Sequence, residues 1–150
     1  MTNPQIFIVL PRNRVQPGIL SVFNIDGLAH TCACKGKADN GKARREGNAR
    51  RDPARPWGDT PTGDYAPTQI DLFDEHHRSM GRGWIPMEGA DGQALQARIN
   101  GRTGLAIHAG RGDEKIVVTY GCVRVLDKDF DRLVQLIGTD VVEIFIREIG

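Results

Sequence analysis

The chain of 150 residues has little net charge and no long apolar run, and its first residues lack the pattern expected of a signal peptide. It has 20 Lys or Arg and 19 Asp or Glu, so its net charge of +1 gives no overall attraction to nucleic acid or to an anionic membrane. No apolar run approaches the ~20 residues of a membrane-spanning helix. The apolar run at 6–10 is too short for the core of a signal peptide and follows no Lys or Arg. We therefore predict no membrane span, no visible signal peptide and no nucleic-acid partner.

Cysteine is also scarce, with Cys32, Cys34 and Cys122 as the only three. An odd number leaves at least one thiol unpaired. Cys32 and Cys34 are two positions apart in a predicted strand, where side chains share a face but lack the geometry of a disulfide. A zinc site is the alternative, built from His30, Cys32, Cys34, His76 and His77. Because Cys-x-Cys differs from the Cys-x₂-Cys of common zinc sites, we favour buried strand residues and predict no metal and no cofactor.

Aromatic residues are few, and none lies within residues 35–55, where there are eight Lys or Arg and three Asp or Glu. Surfaces that bind single-stranded nucleic acid use aromatic rings to stack bases, so this basic segment is not expected to bind nucleic acid. We interpret residues 35–59 as a solvated basic surface loop. Contact with an anionic wall polymer or a partner is the alternative.

The length suits a single domain, residues 1–150, and the apolar pattern is that of a mainly β protein. Strands are predicted at 5–10, 19–25 and 28–34, the last two joined by the hairpin dipeptide Asp26-Gly27. Further strands are predicted at 64–72, 94–99, 105–108, 115–119 and 141–147. Asn100-Gly101 is predicted as a second hairpin turn, and residues 73–91 are predicted to be irregular.

One helix is predicted, shortly after Cys122. Asp127 is expected to cap its start, and Gly138 is expected to end it. Between them the apolar residues recur at helical spacing, at Phe130, Leu133, Val134 and Ile137.

The strongest sign of chemistry is Cys122, within Thr119-Tyr120-Gly121-Cys122-Val123-Arg124, together with His108 upstream. The thiolate is the reactive form of cysteine, and at a pKa near ~8.5 only a few per cent is ionised at pH 7. An imidazole within hydrogen-bond reach raises that fraction or takes the proton during attack. The adjacent glycine lets a substrate approach the backbone closely. A buried cysteine that acts only as a small apolar side chain is the alternative.

Three segments together resemble the catalytic domain of the L,D-transpeptidases, the YkuD-type enzymes. They are residues 60–65 (Thr-Pro-Thr-Gly-Asp-Tyr), 101–110 (ending Ile-His-Ala-Gly) and 119–125 (Thr-Tyr-Gly-Cys-Val-Arg-Val). The resemblance runs from about residue 6 to residue 146. It implies a β-sandwich-like fold with one helix after the Cys motif. Tyr120 stands where many members carry His, and Ala109 where Gly is usual.

The resemblance implies a cysteine acyltransferase that acts on peptidoglycan stem peptides. Cys122 would attack the amide between the third residue and D-Ala, and His108 would take the thiol proton. The thioester would then pass to an amine or to water, as a transpeptidase or a carboxypeptidase does. The sequence leaves open which of these reactions occurs, whether terminal D-amino acids are exchanged, and the oligomeric state.

Residues around this pair are given supporting roles. Those expected to stabilise the oxyanion or to orient the catalytic groups are Gly121, Thr119, Tyr120, Ala109 and Gly110. Among them, Thr119 is expected to orient His108, and the carbonyl of residue 109 or 110 is expected to accept the other imidazole N–H. Arg124 is expected either to hold a substrate carboxylate or to pair with an acid that fixes the loop.

Two other classes of function are kept. One is a non-catalytic wall-binding module with a degenerate Cys site, which Tyr120 and Ala109 leave open. The other is the zinc-dependent protein described above. The resemblance implies a location in the cell envelope or periplasm, or secretion. With no visible leader, we expect either that a signal has been removed or that the protein is exported by another route.

Overall fold

A computed structural model describes residues 3–150, which form nine strands and three helices. None of these helices is long and apolar enough to cross a membrane. In chain order the elements are β1 (Gln5–Pro11), β2 (Gly18–Asn24), β3 (Gly27–Cys34), α1 (Asn40–Arg45), β4 (Gly63–Thr68), β5 (Asp71–His77), β6 (Gly81–Pro86), α2 (Gly92–Ile99), β7 (Ala106–His108), β8 (Val123–Arg124), α3 (Asp127–Ile137) and β9 (Val142–Ile149).

The larger sheet has five strands in the order β3-β2-β1-β9-β4. Its central strand, β1, is antiparallel to β2 and parallel to β9. Ile6, Ile8 and Leu10 of β1 are fully buried, because alternate side chains of a strand point to the same face. On the opposite face Phe7 stacks on Phe145, with 5.3 Å between ring centroids. This alternation is that of a sheet with one face on the core.

The smaller sheet has four strands in the order β5-β6-β7-β8, and it positions the candidate site. β7 is antiparallel to β6 and parallel to β8, with His108 opposite Arg124. Because Cys122 directly precedes β8, this parallel pair brings it beside Ala106, the first residue of β7, two residues before His108. The two halves of the predicted catalytic pair therefore come from neighbouring strands.

The inner faces of both sheets and one face of α3 share a single hydrophobic core. The helix contributes Phe130, Leu133 and Ile137, all almost fully buried. The prediction of a mainly β fold with a helix after the Cys motif is confirmed. The Asp26-Gly27 hairpin and the end of the helix at Gly138 are confirmed too.

The strand predicted at 94–99 is wrong, and so is the hairpin at Asn100-Gly101. These residues form and end helix α2, which packs against β4. Asp91 caps the helix by accepting the Gly92 N–H at 2.8 Å. Ala94 and Ala97, three residues apart, are buried on one face. Ala, Leu, Gln and Arg all favour helices, so local propensity outweighs the short apolar pattern.

Two further boundaries near the site differ from prediction. Residues 73–91 are not wholly irregular, because they contain most of β5 and all of β6. The strand predicted at 115–119 is absent from the structure. There the carbonyls of Val117 and Val118 accept hydrogen bonds from the Arg124 side chain, at 3.2 and 2.9 Å. These two carbonyls are therefore hydrogen-bonded to a guanidinium group rather than to the backbone of a neighbouring strand.

The basic segment, residues 35–59, is folded onto the domain rather than solvated, so that prediction is wrong. It contains α1, and Asn48 and Asp59 within it are buried. The Asn48 amide donates to the carbonyls of Asp52 and Pro56, both at 3.0 Å. Asp59 accepts a main-chain N–H at 2.8 Å. Besides two small buried residues, Ala38 and Ala43, side-chain hydrogen bonds hold the segment in place, and hydrophobic patterning cannot reveal such bonds.

Candidate active site

Cys122 lies half-buried in the turn that enters β8. The turn requires Gly121, whose φ of +117° is a conformation that residues with a side chain rarely adopt. A Cβ at this position would lie 1.9 Å from Arg102 Nη2 and 2.3 Å from the Gly58 carbonyl oxygen. Only glycine fits here, and the resulting turn carries the sulfur to the wall of a cleft.

The Cys122 thiol contacts backbone groups. It donates to the Gly104 carbonyl, with 3.5 Å between Sγ and the oxygen. Burial raises the pKa of the thiol, while a backbone hydrogen bond from Ala106 and the charges of Arg102 and Arg124 lower it, and the net shift is upward. The thiol is therefore protonated at neutral pH and needs a base to become a nucleophile.

His108 is buried at the end of β7. Burial is the main reason that its pKa is lowered to about 4, with Arg124 and His77 acting in the same direction against a hydrogen bond to Ala109. The imidazole is therefore neutral at pH 7. Its Nδ1 lies 2.9 Å from the Ala109 carbonyl oxygen. Because a carbonyl can only accept, the proton is on Nδ1 and Nε2 is left as a free acceptor.

Cys122 and His108 line the same cleft, of about 830 Å³. Cys122 lies two residues before Arg124, the partner of His108 across the parallel pair, so the sulfur and the imidazole share one face of the sheet. They do not hydrogen-bond to each other, because the thiol donates to Gly104 instead. The structure brings the pair into one cleft without forming the direct contact that the sequence analysis expected.

Thr119 has a different partner from the one predicted. Its hydroxyl donates to the Cys122 carbonyl at 2.8 Å and accepts the Gly121 N–H at 2.9 Å. It therefore shapes the Gly121–Cys122 turn and does not orient His108. Since the Gly121 N–H is already engaged, it is not a free oxyanion donor. The Cys122 N–H makes no hydrogen bond within residues 3–150.

Arg124 is buried, and its guanidinium binds backbone carbonyls. Four of its five N–H groups donate to the carbonyls of Ala109, Val117, Val118 and Ser79, at 2.6 to 3.2 Å. The predicted pairing with an acid is wrong, because carbonyls take that place. Arg124 thus connects three loops around the cleft. One of its N–H groups is left to bind a substrate carboxylate, and that contact stays a prediction.

Ala109 and Gly110 act through their backbones. The Ala109 carbonyl holds the His108 Nδ1–H, and the Gly110 N–H donates to Asp127 Oδ1 at 2.8 Å. Asp127 was predicted to cap α3, but the cap position is Leu126, and the carboxylate instead fixes the loop after His108. This loop connects the imidazole to the start of the helix.

Two residues at the site were missed from the sequence. Thr60 is fully buried, and its hydroxyl donates to the Gly121 carbonyl at 2.5 Å. Arg102 is buried beneath the turn and donates to the carbonyls of Pro53, Gly58 and Asp59, at 2.5 to 2.9 Å. Thr60 lies in a motif quoted above, which was a usable signal. Arg102 also lies in a quoted segment, residues 101–110, but nothing in that segment distinguishes it from a surface arginine.

The basic segment forms one wall of the cleft through Trp57, which lies against Tyr120. The two rings meet edge to face, with 6.1 Å between centroids. Lys42 Nζ lies 4.8 Å from the Trp57 ring centroid and 5.7 Å from that of Tyr120. Tyr120, at 60% exposure, projects into the opening of the cleft. A segment expected to be a solvated surface loop thus shapes the entrance to the site.

The five residues considered for zinc are not brought together. His76 and His77 lie on β5 of the smaller sheet, whereas His30, Cys32 and Cys34 lie on β3 of the larger one. The group that does form is His30, Cys32 and Asp129, with donor atoms within 4.8 Å of one another. His30 Nε2 is 3.1 Å from the Asp129 carboxylate, which accounts for the cluster as an ion pair or hydrogen bond. All three cysteines are free thiols.

Comparison with known proteins shows a fold shared with solved structures. Bd1075 of Bdellovibrio bacteriovorus matches with a TM-score of 0.59 and 17% identity, over 94% of this chain and 47% of that one. The helical cell shape determining protein Pgp2 of Campylobacter jejuni matches with a TM-score of 0.55 and 13% identity, over 99% of this chain and 49% of that one. L,D-transpeptidase 1 of Mycobacterium tuberculosis matches with a TM-score of 0.47 and 11% identity, over 96% of this chain and 62% of that one.

No protein-family model and no curated protein sequence matches the chain. The chain spans about half the length of Bd1075 and Pgp2. At these identities the similarity concerns the fold alone: this chain shares its mainly β, two-sheet fold with Bd1075 and Pgp2.

Proposed function

We propose that this protein is a cysteine acyltransferase acting on peptidoglycan stem peptides, as an L,D-transpeptidase or L,D-carboxypeptidase. The observation that carries the proposal is that Cys122 and His108 line one cleft, with Nδ1–H of the imidazole tied to Ala109 and Nε2 free to accept a proton. The three sequence motifs support the same reaction. The similarity in fold to Pgp2, a cell shape determining protein, supports a substrate in the cell wall.

The first step is attack of Cys122 on the amide carbonyl before D-Ala. The bond between sulfur and carbonyl carbon forms while the thiol proton passes to His108 Nε2. When the tetrahedral intermediate collapses, the C–N bond breaks, the imidazolium returns the proton to the leaving amine, and a thioester remains. In the second step an amine or water loses a proton to Nε2 and attacks the thioester, the C–S bond breaks and the sulfur recovers a proton.

The resting state of the pair is a neutral thiol and a neutral imidazole. The pKa of Cys122 is raised and that of His108 is lowered, so a standing thiolate–imidazolium pair is unfavourable. Proton transfer therefore accompanies attack, after the thiol has turned from the Gly104 carbonyl toward Nε2. Catalytic hydrogen bonds often form only when substrate is bound, so the mechanism requires the contact with Gly104 to break at that stage.

The oxyanion is assigned to the Cys122 N–H, with the exposed Tyr120 hydroxyl as a second donor. The Gly121 N–H is excluded by its hydrogen bond to Thr119. One well-placed donor at such a site is worth about 3 kcal/mol of transition-state stabilisation. The substrate places the reaction at the cell envelope, in the periplasm or outside the cell.

Acylation of the intact protein by a carbapenem tests the proposal. Electrospray mass spectrometry should show one adduct on the wild-type protein and on Cys34→Ser, and none on Cys122→Ala. An adduct that persists in Cys122→Ala refutes the assignment of the nucleophile. Digestion of purified muropeptides then separates the two reactions. Both release D-Ala, but hydrolysis leaves uncross-linked tripeptide stems, whereas transpeptidation gives new cross-links.

A non-catalytic wall-binding module is the second candidate, favoured by the resting hydrogen bond of the thiol to Gly104 rather than to His108. It predicts that muropeptides bind but leave unchanged, and that no acyl group appears on Cys122.

A further inference from the structure

The lining of the cleft beside Cys122 carries more positive than negative charge. Its lining includes four arginines, at positions 45, 102, 111 and 124, and one acid, Asp39. Arg102 and Arg124 are buried and committed to backbone carbonyls. Arg45 and Arg111 are exposed, and within residues 3–150 neither has a carboxylate within 4.0 Å. The carboxylate of Asp39 caps α1 by accepting the Lys42 N–H at 2.8 Å.

The positive groups also repel one another. Arg124 is buried close enough to Arg111 that burial and this repulsion together lower its pKa to about 10. Repulsion between like charges around an open cleft is relieved when an anion binds. The cleft is therefore electrostatically complementary to an anionic ligand.

The wall that carries Arg45 is fixed in place. Lys42 lies over the rings of Trp57 and Tyr120 and also forms an ion pair with Glu46 at 3.1 Å, so its charge is already used. Trp57 has a φ of +71°, a conformation that favours glycine and that persists only where surrounding contacts enforce it. Arg45, on the last turn of α1, is thus presented from an ordered segment.

We propose that Arg45 and Arg111 bind a free carboxylate of an acidic peptide substrate, so that the site prefers stem peptides with free carboxylates over amidated ones. The inference rests on the proposed function for the choice of peptide. Exposed arginine–carboxylate pairs are individually weak, and two acting together give a preference of about tenfold. Because both arginines are exposed, the preference falls as salt is added.

Two probes test this inference: the tetrapeptide L-Ala–γ-D-Glu–diaminopimelate–D-Ala, and the same peptide with every carboxylate converted to an amide. Binding is measured by titration calorimetry on Cys122→Ala protein, which prevents turnover, and kcat/KM is measured on protein with Cys122 intact. Each measurement is repeated in the double variant Arg45→Gln/Arg111→Gln. The charge-matched control is Arg44→Gln/Lys115→Gln, which removes two exposed positive charges that do not line the cleft.

We expect the acidic peptide to bind about tenfold more tightly than the amide, the preference to vanish in the Arg45/Arg111 variant, and the control to keep it. Equal binding of the two peptides, binding of neither, or a preference that survives in the Arg45/Arg111 variant overturns the inference. A preference lost equally in the control also overturns it, because long-range charge would then be the cause. If the acidic peptide binds as expected but never acylates Cys122, the proposed function fails and the carboxylate site stands.

Discussion

Replacing Gly121 with alanine tests whether the turn before Cys122 is as tightly determined as the structure indicates. A φ of +117° costs an L-residue about 1 to 2 kcal/mol. The new Cβ would also meet Arg102 Nη2 at 1.9 Å and the Gly58 carbonyl oxygen at 2.3 Å, and relieving such contacts costs about 1 to 3 kcal/mol more. We expect the free energy of unfolding to fall by about 3 kcal/mol, and Tm to fall by about 6 to 12 °C for a domain of this size.

Gly27→Ala is the matched control, because Gly27 has a φ of +105° but a Cβ there meets no atom within 4 Å. The free energy of unfolding of Gly27→Ala should fall only by the cost of the positive φ, about 1 to 2 kcal/mol. Thermal unfolding followed by circular dichroism compares the two variants, and carbapenem acylation below both melting temperatures reports on the sulfur. Gly121→Ala should acylate more slowly than Gly27→Ala. An equal loss of stability in the two variants, with equal acylation, would show that the contacts with Arg102 and Gly58 are unimportant.

Three other predictions concern the same site. The pKa of His108 is about 4 in the folded protein and near 6.5 in the unfolded chain, so the unfolded chain binds more protons between these pH values. The free energy of unfolding should therefore fall by about 3 kcal/mol as the pH drops from 6.5 to 4. Chemical denaturation of His108→Gln should not show this pH-dependent loss. Arg124→Lys should lower the unfolding free energy by about 3 kcal/mol, measured in urea, because one ammonium cannot reach four carbonyls; an unchanged midpoint would contradict this. In a thiol titration of native protein only Cys122 should react quickly, because it is half-buried on the cleft, whereas Cys32 and Cys34 are buried and burial raises the pKa of both. Fast reaction in Cys122→Ala would count against this.

The sequence was sufficient where apolar spacing or turn chemistry alone determines an element. The β2–β3 hairpin follows from Asp26-Gly27, and α3 follows from its apolar spacing and Gly138. Helix α2 was missed, because its two buried alanines make too weak an apolar pattern to distinguish a short helix from a strand.

The two reactive residues of the candidate site could be predicted from the sequence, but the contacts that hold them in place could not. Cys122 and His108 were found because thiol and imidazole carry recognisable chemistry. The roles of Thr119 and Arg124 depend on which backbone groups lie within hydrogen-bond distance of them, and those groups come from residues up to 45 positions away. The packing of the basic segment likewise depends on buried hydrogen bonds of Asn48 and Asp59, which leave no periodic trace.

The most direct test of the central claim is to mix the protein with a tetrapeptide stem, quench with acid within one turnover, and locate the acyl group by peptide mapping. The account predicts a thioester of the tripeptide on Cys122 in the wild-type protein, formed far more slowly in His108→Gln and absent from Cys122→Ala. Release of D-Ala with no acyl group on Cys122, or undiminished acylation in His108→Gln, would contradict it.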